Sequence, residues 1–227
     1  MIFRARVAQR GWTRILAAPL RADVEQTDPD SAERIITTLW AAGVPHITIL
    51  AQPQADRGEL PRLVQIAEDI GMICGLRAVA SWLEPQVIQD AALVGLDHLD
   101  LLYVSPDDAD HDRLTTPGDL QRVLAAFRQC RELELSPVAQ VPALDANADI
   151  LDDIVRELRD VGVNNVVCFA LACPDDDEAG DKAGALPARS LPQVATVLIE
   201  AAEEARVRYI WTPPVRFDPT RSLAQQV

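Results

Sequence analysis

The chain has 227 residues, 48% of them hydrophobic and 25% charged, with a formal net charge of −14. That length suits one large α/β domain or two small ones, and the composition is that of a globular protein with a sizeable core. The excess of acid argues against nucleic acid and anionic membrane surfaces as partners. No apolar run approaches the roughly 20 residues of a membrane span. The segment "MIFRARVAQRGWTRIL" has basic residues but no secretory pattern, so a cytoplasmic location is expected. The four cysteines, Cys74, Cys130, Cys168 and Cys173, match no zinc or disulfide spacing, which suits a reducing compartment.

In chain order, β-branched and aliphatic runs read as strands over 13–18, 44–50, 72–77, 99–104, 137–141, 166–171 and 209–211. Gly43, Gly71, Gly95 and Gly162 each precede such a run, where a helix would end in the left-handed region. The segments between have helical spacing. Leu60, Leu63, Val64 and Ala67 share one face, as do Ile150, Ile154, Val155 and Leu158. Asp30 with Glu33 resembles a capping box, and Pro61 and Pro85 fall early in their helices. Strands that alternate with six helices predict a mostly parallel sheet: an α/β fold, as a partial or open (β/α) barrel of about six β/α units. A flavodoxin-like sheet is the alternative. The expected domain spans 1–212. The Asp-, Gly- and Pro-rich stretch 173–190 reads as a loop, and 213–227 as an irregular tail.

In a barrel the working residues follow the C-terminal ends of the strands. That rule nominates Arg21, Asp23 and Glu25, then Gln52, Gln54, Asp56 and Arg57, then Arg77, Ser81 and Trp82. It adds Ser105, Asp107, Asp108, Asp110, His111 and Asp112, then Gln140, Asp145 and Asn147, with Arg216 from the tail. Within "SPDDADHD", His111 with Asp112 and Asp107 could serve acid–base chemistry, because histidine titrates near neutrality. Carboxylates beside an imidazole also suit a divalent ion. Aspartate is nevertheless a common turn residue, and the spacing fits no calcium loop, so no metal site is assigned. His46 and His98 each open a strand and are read as structural. Trp82 and Trp211, at strand ends, would line a pocket or plug the barrel. No phosphate loop, dinucleotide fingerprint or nucleophile elbow is present.

The run from Gly43 to Leu114, "GVPHITIL…SPDDADHDRL", with Ser105, Asp107, His111 and Asp112, and then Asn147 further on, resembles the radical S-adenosylmethionine (radical SAM) enzymes. The resemblance covers about 13–211 and implies the barrel scaffold. It also implies a three-cysteine iron–sulfur loop after the first strand. Here that loop reads "LRADVEQTDPDSAE", with Arg21, Asp23, Glu25 and Gln26 in place of thiolates. The glycine-rich motif reads Ala51, Gln52, Pro53, and the Thr-Asn-Gly position reads Ala78, Val79, Ala80. An iron–sulfur cluster needs thiolates, so no cofactor is expected. The expectation is a cluster-less radical SAM-like protein that acts as a non-catalytic binding, accessory or scaffolding subunit. Its partner would be another protein or a second copy, and a small molecule could occupy the barrel mouth. Arg21, Asp23, Gln52, Arg77, Ser105, Gln140 and Asn147 would line that mouth. The alternative is a small-molecule enzyme working through the acidic rim.

Overall fold

The computed structural model describes residues 19–20, 29–51, 56–173, 184–212 and 215–216. Every described strand pairing is parallel, and helices separate the main strands. The class is α/β with a mostly parallel sheet. The sheet is open: among the described residues β1 (Pro19–Leu20) pairs only with β2 (His46–Ala51), at the end of the strand order. The strand expected over 13–18 lies outside the described residues.

The chain forms two compact units. The first comprises residues 1–100 and 129–136. It holds β1, α1 (Pro29–Ala41), β2, α2 (Leu60–Asp69), β3 (Ile73–Ala78), α3 (Pro85–Leu93) and the start of β4 (His98–Leu102). Helix α2 buries Leu60, Leu63, Val64 and Ala67, the face its spacing forecast. Gly71, at φ +81°, turns the chain from α2 into β3 at little steric cost. In β2, Ile47, Ile49 and Ala51 are buried while His46, Thr48 and Leu50 are only half-buried. In β3, Cys74, Leu76 and Ala78 occupy the apolar face, with Ile73, Gly75 and Arg77 on the other. These strands therefore differ from the continuous apolar runs expected of them. Their second face carries polar groups that bond one another.

The second unit comprises residues 101–128 and 137–227. It includes α4 (Asp108–Leu114), most of α5 (Asp119–Glu132) and β5 (Ser136–Ala143), then α6 (Leu151–Asp160) and β6 (Asn165–Cys173). There follow β7 (Leu186–Pro187), α7 (Leu191–Ala205), β8 (Arg208–Trp211) and β9 (Val215–Arg216). Helix α6 buries Leu151, Ile154, Val155 and Leu158 and packs against α7, which buries Val194, Leu198, Ala201 and Ala202. Each buried Leu, Ile or Val among them contributes about 1.5–3 kcal/mol. Val104, Leu144, Phe169 and Leu171 form a further apolar cluster with Leu102 and Leu114. Two short pairings were not foreseen: β7 and β9 both bond β6, so 186–187 and 215–216 are extended.

Helix α4 is a correction to the sequence reading, in which its residues formed an aspartate-rich turn. Asp107 caps it, its Oδ1 accepting from the Asp110 amide at 3.0 Å, and Asp108 and Asp110 fall in the first turn. Carboxylates there complement the positive end of the helix dipole.

Candidate functional site

Register places four titratable side chains on one face of the first unit. Gly75 pairs with Thr48 on one side and with His98 on the other, and Arg77 pairs with Leu50 and Asp100. The His98 ring lies across Gly75. A Cβ built there would stand 1.9 Å from Cε1 and 2.1 Å from Nε2 of that ring. Because glycine leaves this space, His98 spans the middle strand. Its Nε2 reaches His46 Nε2 at 2.7 Å, with the rings edge to face.

The other end of the ring fixes the tautomer. His98 Nδ1 lies 2.6 Å from Asp100 Oδ1, so Nδ1–H donates to the carboxylate. Asp100 Oδ2 in turn accepts from Arg77 Nη2 at 3.2 Å. The outcome is a chain of contacts, His46–His98–Asp100–Arg77, across three strands. Asp100 is 4% exposed, deep enough for the chain to be partly desolvated. Burial works to raise the Asp100 pKa, but the His98 hydrogen bond and the Arg77 charge outweigh it and hold the carboxyl below its usual value. Burial, with the charge of His98, lowers the pKa of His46. Two nitrogens 2.7 Å apart need one proton between them, so the pair is built for a single shared proton.

Arg77 is under-used. Its Nε is buried without a hydrogen-bond partner, and its only hydrogen bond among the described residues is the one from Nη2. Nearby, Arg57 donates from Nε to the Trp82 carbonyl at 2.8 Å, and its guanidinium stands 5.5 Å from the centre of the Trp82 ring. Trp82 is 2% exposed, so at this strand end it packs.

Asp56 and Ser81 also lie in the first unit, Asp56 Oδ1 accepting from the Gly58 amide at 2.9 Å and Ser81 in the short turn Ala80–Trp82; the other nominated residues fall in the second unit or outside the described residues. Arg21, Asp23, Glu25, Gln52 and Gln54 are outside. Ser105 is buried and its Oγ accepts from the Asp107 amide at 3.1 Å. His111 is fully buried: Nδ1 accepts from the Val104 amide at 3.3 Å, and Nε2 lies 3.3 Å from Asp119 Oδ2. Asp112, its neighbour in sequence, turns instead to the start of α5. There its carboxylate accepts from the amides of Gly118, Asp119 and Leu120, and the Gly118 amide leads the fall in its pKa. Asn147 joins three backbone segments. Nδ2 donates to the carbonyls of Val104 and Pro142 at 2.9 and 2.8 Å, and Oδ1 accepts from the Leu144 amide at 2.8 Å. Gln140 is buried on β5, where its carbonyl accepts from the Tyr103 amide. Asp107, His111, Asp112 and Asn147 thus each bond the backbone and hold loops and helix ends in place.

Among the described residues, no group of three or more His, Cys, Asp or Glu side chains is arranged to hold a metal ion. The three described thiols do not fit an iron–sulfur cluster either. Cys74, Cys130 and Cys168 sit on β3, α5 and β6, each fully buried and unpaired. Burial pushes each thiol up to about 12, far from the thiolate a cluster requires.

Solved structures with a similar fold include radical SAM enzymes. The archaeal Elp3 of Methanocaldococcus infernus matches with a TM-score of 0.61 at 11% identity, covering 91% of this chain and 57% of its own. Coproporphyrinogen III oxidase (HemN) of Escherichia coli, a radical SAM enzyme, matches with a TM-score of 0.56 at 11% identity, covering 82% of this chain and 47% of its own. A domain of pyruvate-formate lyase-activating enzyme from Bacteroides vulgatus matches with a TM-score of 0.51 at 11% identity, over 69% of this chain and 91% of its own. At such identities the likeness is one of fold. No protein-family model matches the chain, and no curated protein sequence does.

Proposed function

We propose that this chain is a radical SAM-like protein without a cluster, acting as a non-catalytic binding or accessory subunit. One observation carries the reading: the sequence has no cysteine between Met1 and Ile73, where the first strand and its loop fall, and its three described thiols are core groups. A scaffold without sulfur donors at that place acts through shape and polar contacts. A small molecule on the polar sheet face, or a second protein, is its partner. Free cysteines suit a reducing cytoplasm. The competing reading, an enzyme working through Asp107, His111 and Asp112, has less support, because those side chains already serve the backbone.

Anaerobic reconstitution of the full chain with iron and sulfide tests this. The expected outcome, after desalting, is no visible charge-transfer absorption and no stoichiometric iron. A brown protein with iron and sulfide in cluster ratio would refute it.

A further inference from the structure

We propose that the Arg77–Asp100–His98–His46 chain is a binding site for a small oxyanion, a carboxylate or a phosphate, and that binding takes up a proton at the histidine pair. The inference rests on the binding-protein reading above and gives it a ligand class.

Arginine presents five N–H donors in a planar fork suited to oxyanions. Arg77 uses one of its nitrogens, on Asp100, while Nε is buried without a partner. A buried donor without a partner points to a missing acceptor. The side chain is 23% exposed, so the guanidinium is reachable although its Nε is enclosed. Thr48, level with Gly75, lies on the same face of the sheet. Asp100 orients Arg77 and His98 together, one oxygen to each.

The histidines supply the coupling. Asp100 offsets the Arg77 charge, so a proton gained by the histidine pair helps to neutralise an entering anion. The charged groups facing His46 are His98, Asp100 and Asp97, and Arg77 lies one step further along the chain of contacts. The two carboxylates favour that gain, while burial and the neighbouring ring oppose it. An anion tips the balance, and by linkage a falling pH must then tighten the anion.

Isothermal titration calorimetry of the full chain tests the site, with inorganic phosphate and separately with succinate. Measurements at about pH 6 and about pH 8 bracket the ordinary histidine pKa of about 6.5. The expected result is saturable binding of one anion per chain, about tenfold tighter at the lower pH. Which probe binds separates phosphate from carboxylate ligands. Arg77→Gln abolishes binding. Arg77→Lys, which keeps the charge and a folded chain, weakens it. The double variant His46→Gln/His98→Asn leaves binding whose dependence on pH is no more than the probe's own protonation. No saturable heat with either probe, or equal binding by Arg77→Gln and wild type, would overturn the proposal. That failure would leave the cluster-free reading standing, whereas a reconstituted cluster would remove the reading and leave the titration intact.

Discussion

Replacing Gly75 with alanine tests the relay most sharply, because one methyl group meets one ring. The new Cβ would lie within 2.1 Å of two His98 ring atoms, so the ring must leave its place across β3. Its departure breaks the contact to His46 and the bond to Asp100. A neutral hydrogen bond is worth about 1 kcal/mol and one to a charged group about 2 kcal/mol. Alanine recovers up to about 1 kcal/mol of backbone entropy in a strand. The net loss is about 2 kcal/mol. With a urea slope of about 2 kcal/mol/M, the midpoint falls by about 1 M. In a His98→Ala background there is no ring to displace, so the same glycine substitution should be neutral or slightly stabilising. Equal destabilisation in both backgrounds, or none in the wild type, would refute the reasoning.

Three further expectations follow from the same geometry. The lowered pKa of His46 means that, below the ordinary value of about 6.5, the unfolded chain binds a proton that the native chain resists. Stability is therefore full above that value and declines as pH falls through it, with a second decline as Asp100 is protonated below about 3.9. His46→Gln should flatten the first limb in denaturation curves taken across that range. Asn147→Ala removes three buried hydrogen bonds and should cost about 3 kcal/mol, read as a lower urea midpoint; a change within experimental error would contradict its bridging role. Cys74, Cys130 and Cys168 should resist a disulfide reagent in the native protein and react once it is unfolded; rapid native reaction of all four cysteines would contradict their burial.

The scaffold was legible because burial follows local period. The spacing of Leu60, Leu63, Val64 and Ala67 forecast the buried face of α2, and the runs before Leu50, Arg77 and Leu171 forecast strands. The histidine pair was not legible as a pair. His46 and His98 are 52 positions apart, and only the register that sets Gly75 between them brings their rings together. A signal existed. "HITIL" and "HLDLL" alternate polar with apolar, which marks a strand with two unlike faces rather than one buried on both. Helix α4 was hidden for a different reason: aspartates that cap a helix and aspartates that make a turn look alike until the following amides are placed. The acidic rim attracted attention through its residue types, yet the backbone amides facing Asp107 and Asp112, which sequence does not display, already occupy those carboxylates.

Electron paramagnetic resonance of the chain, reconstituted anaerobically with iron and sulfide, desalted and reduced with dithionite, reads a bound cluster without relying on any assumed activity. The expected spectrum contains no protein-bound iron–sulfur signal, because among the described residues no set of thiolates converges. A stoichiometric cluster signal that survives desalting would contradict the central claim.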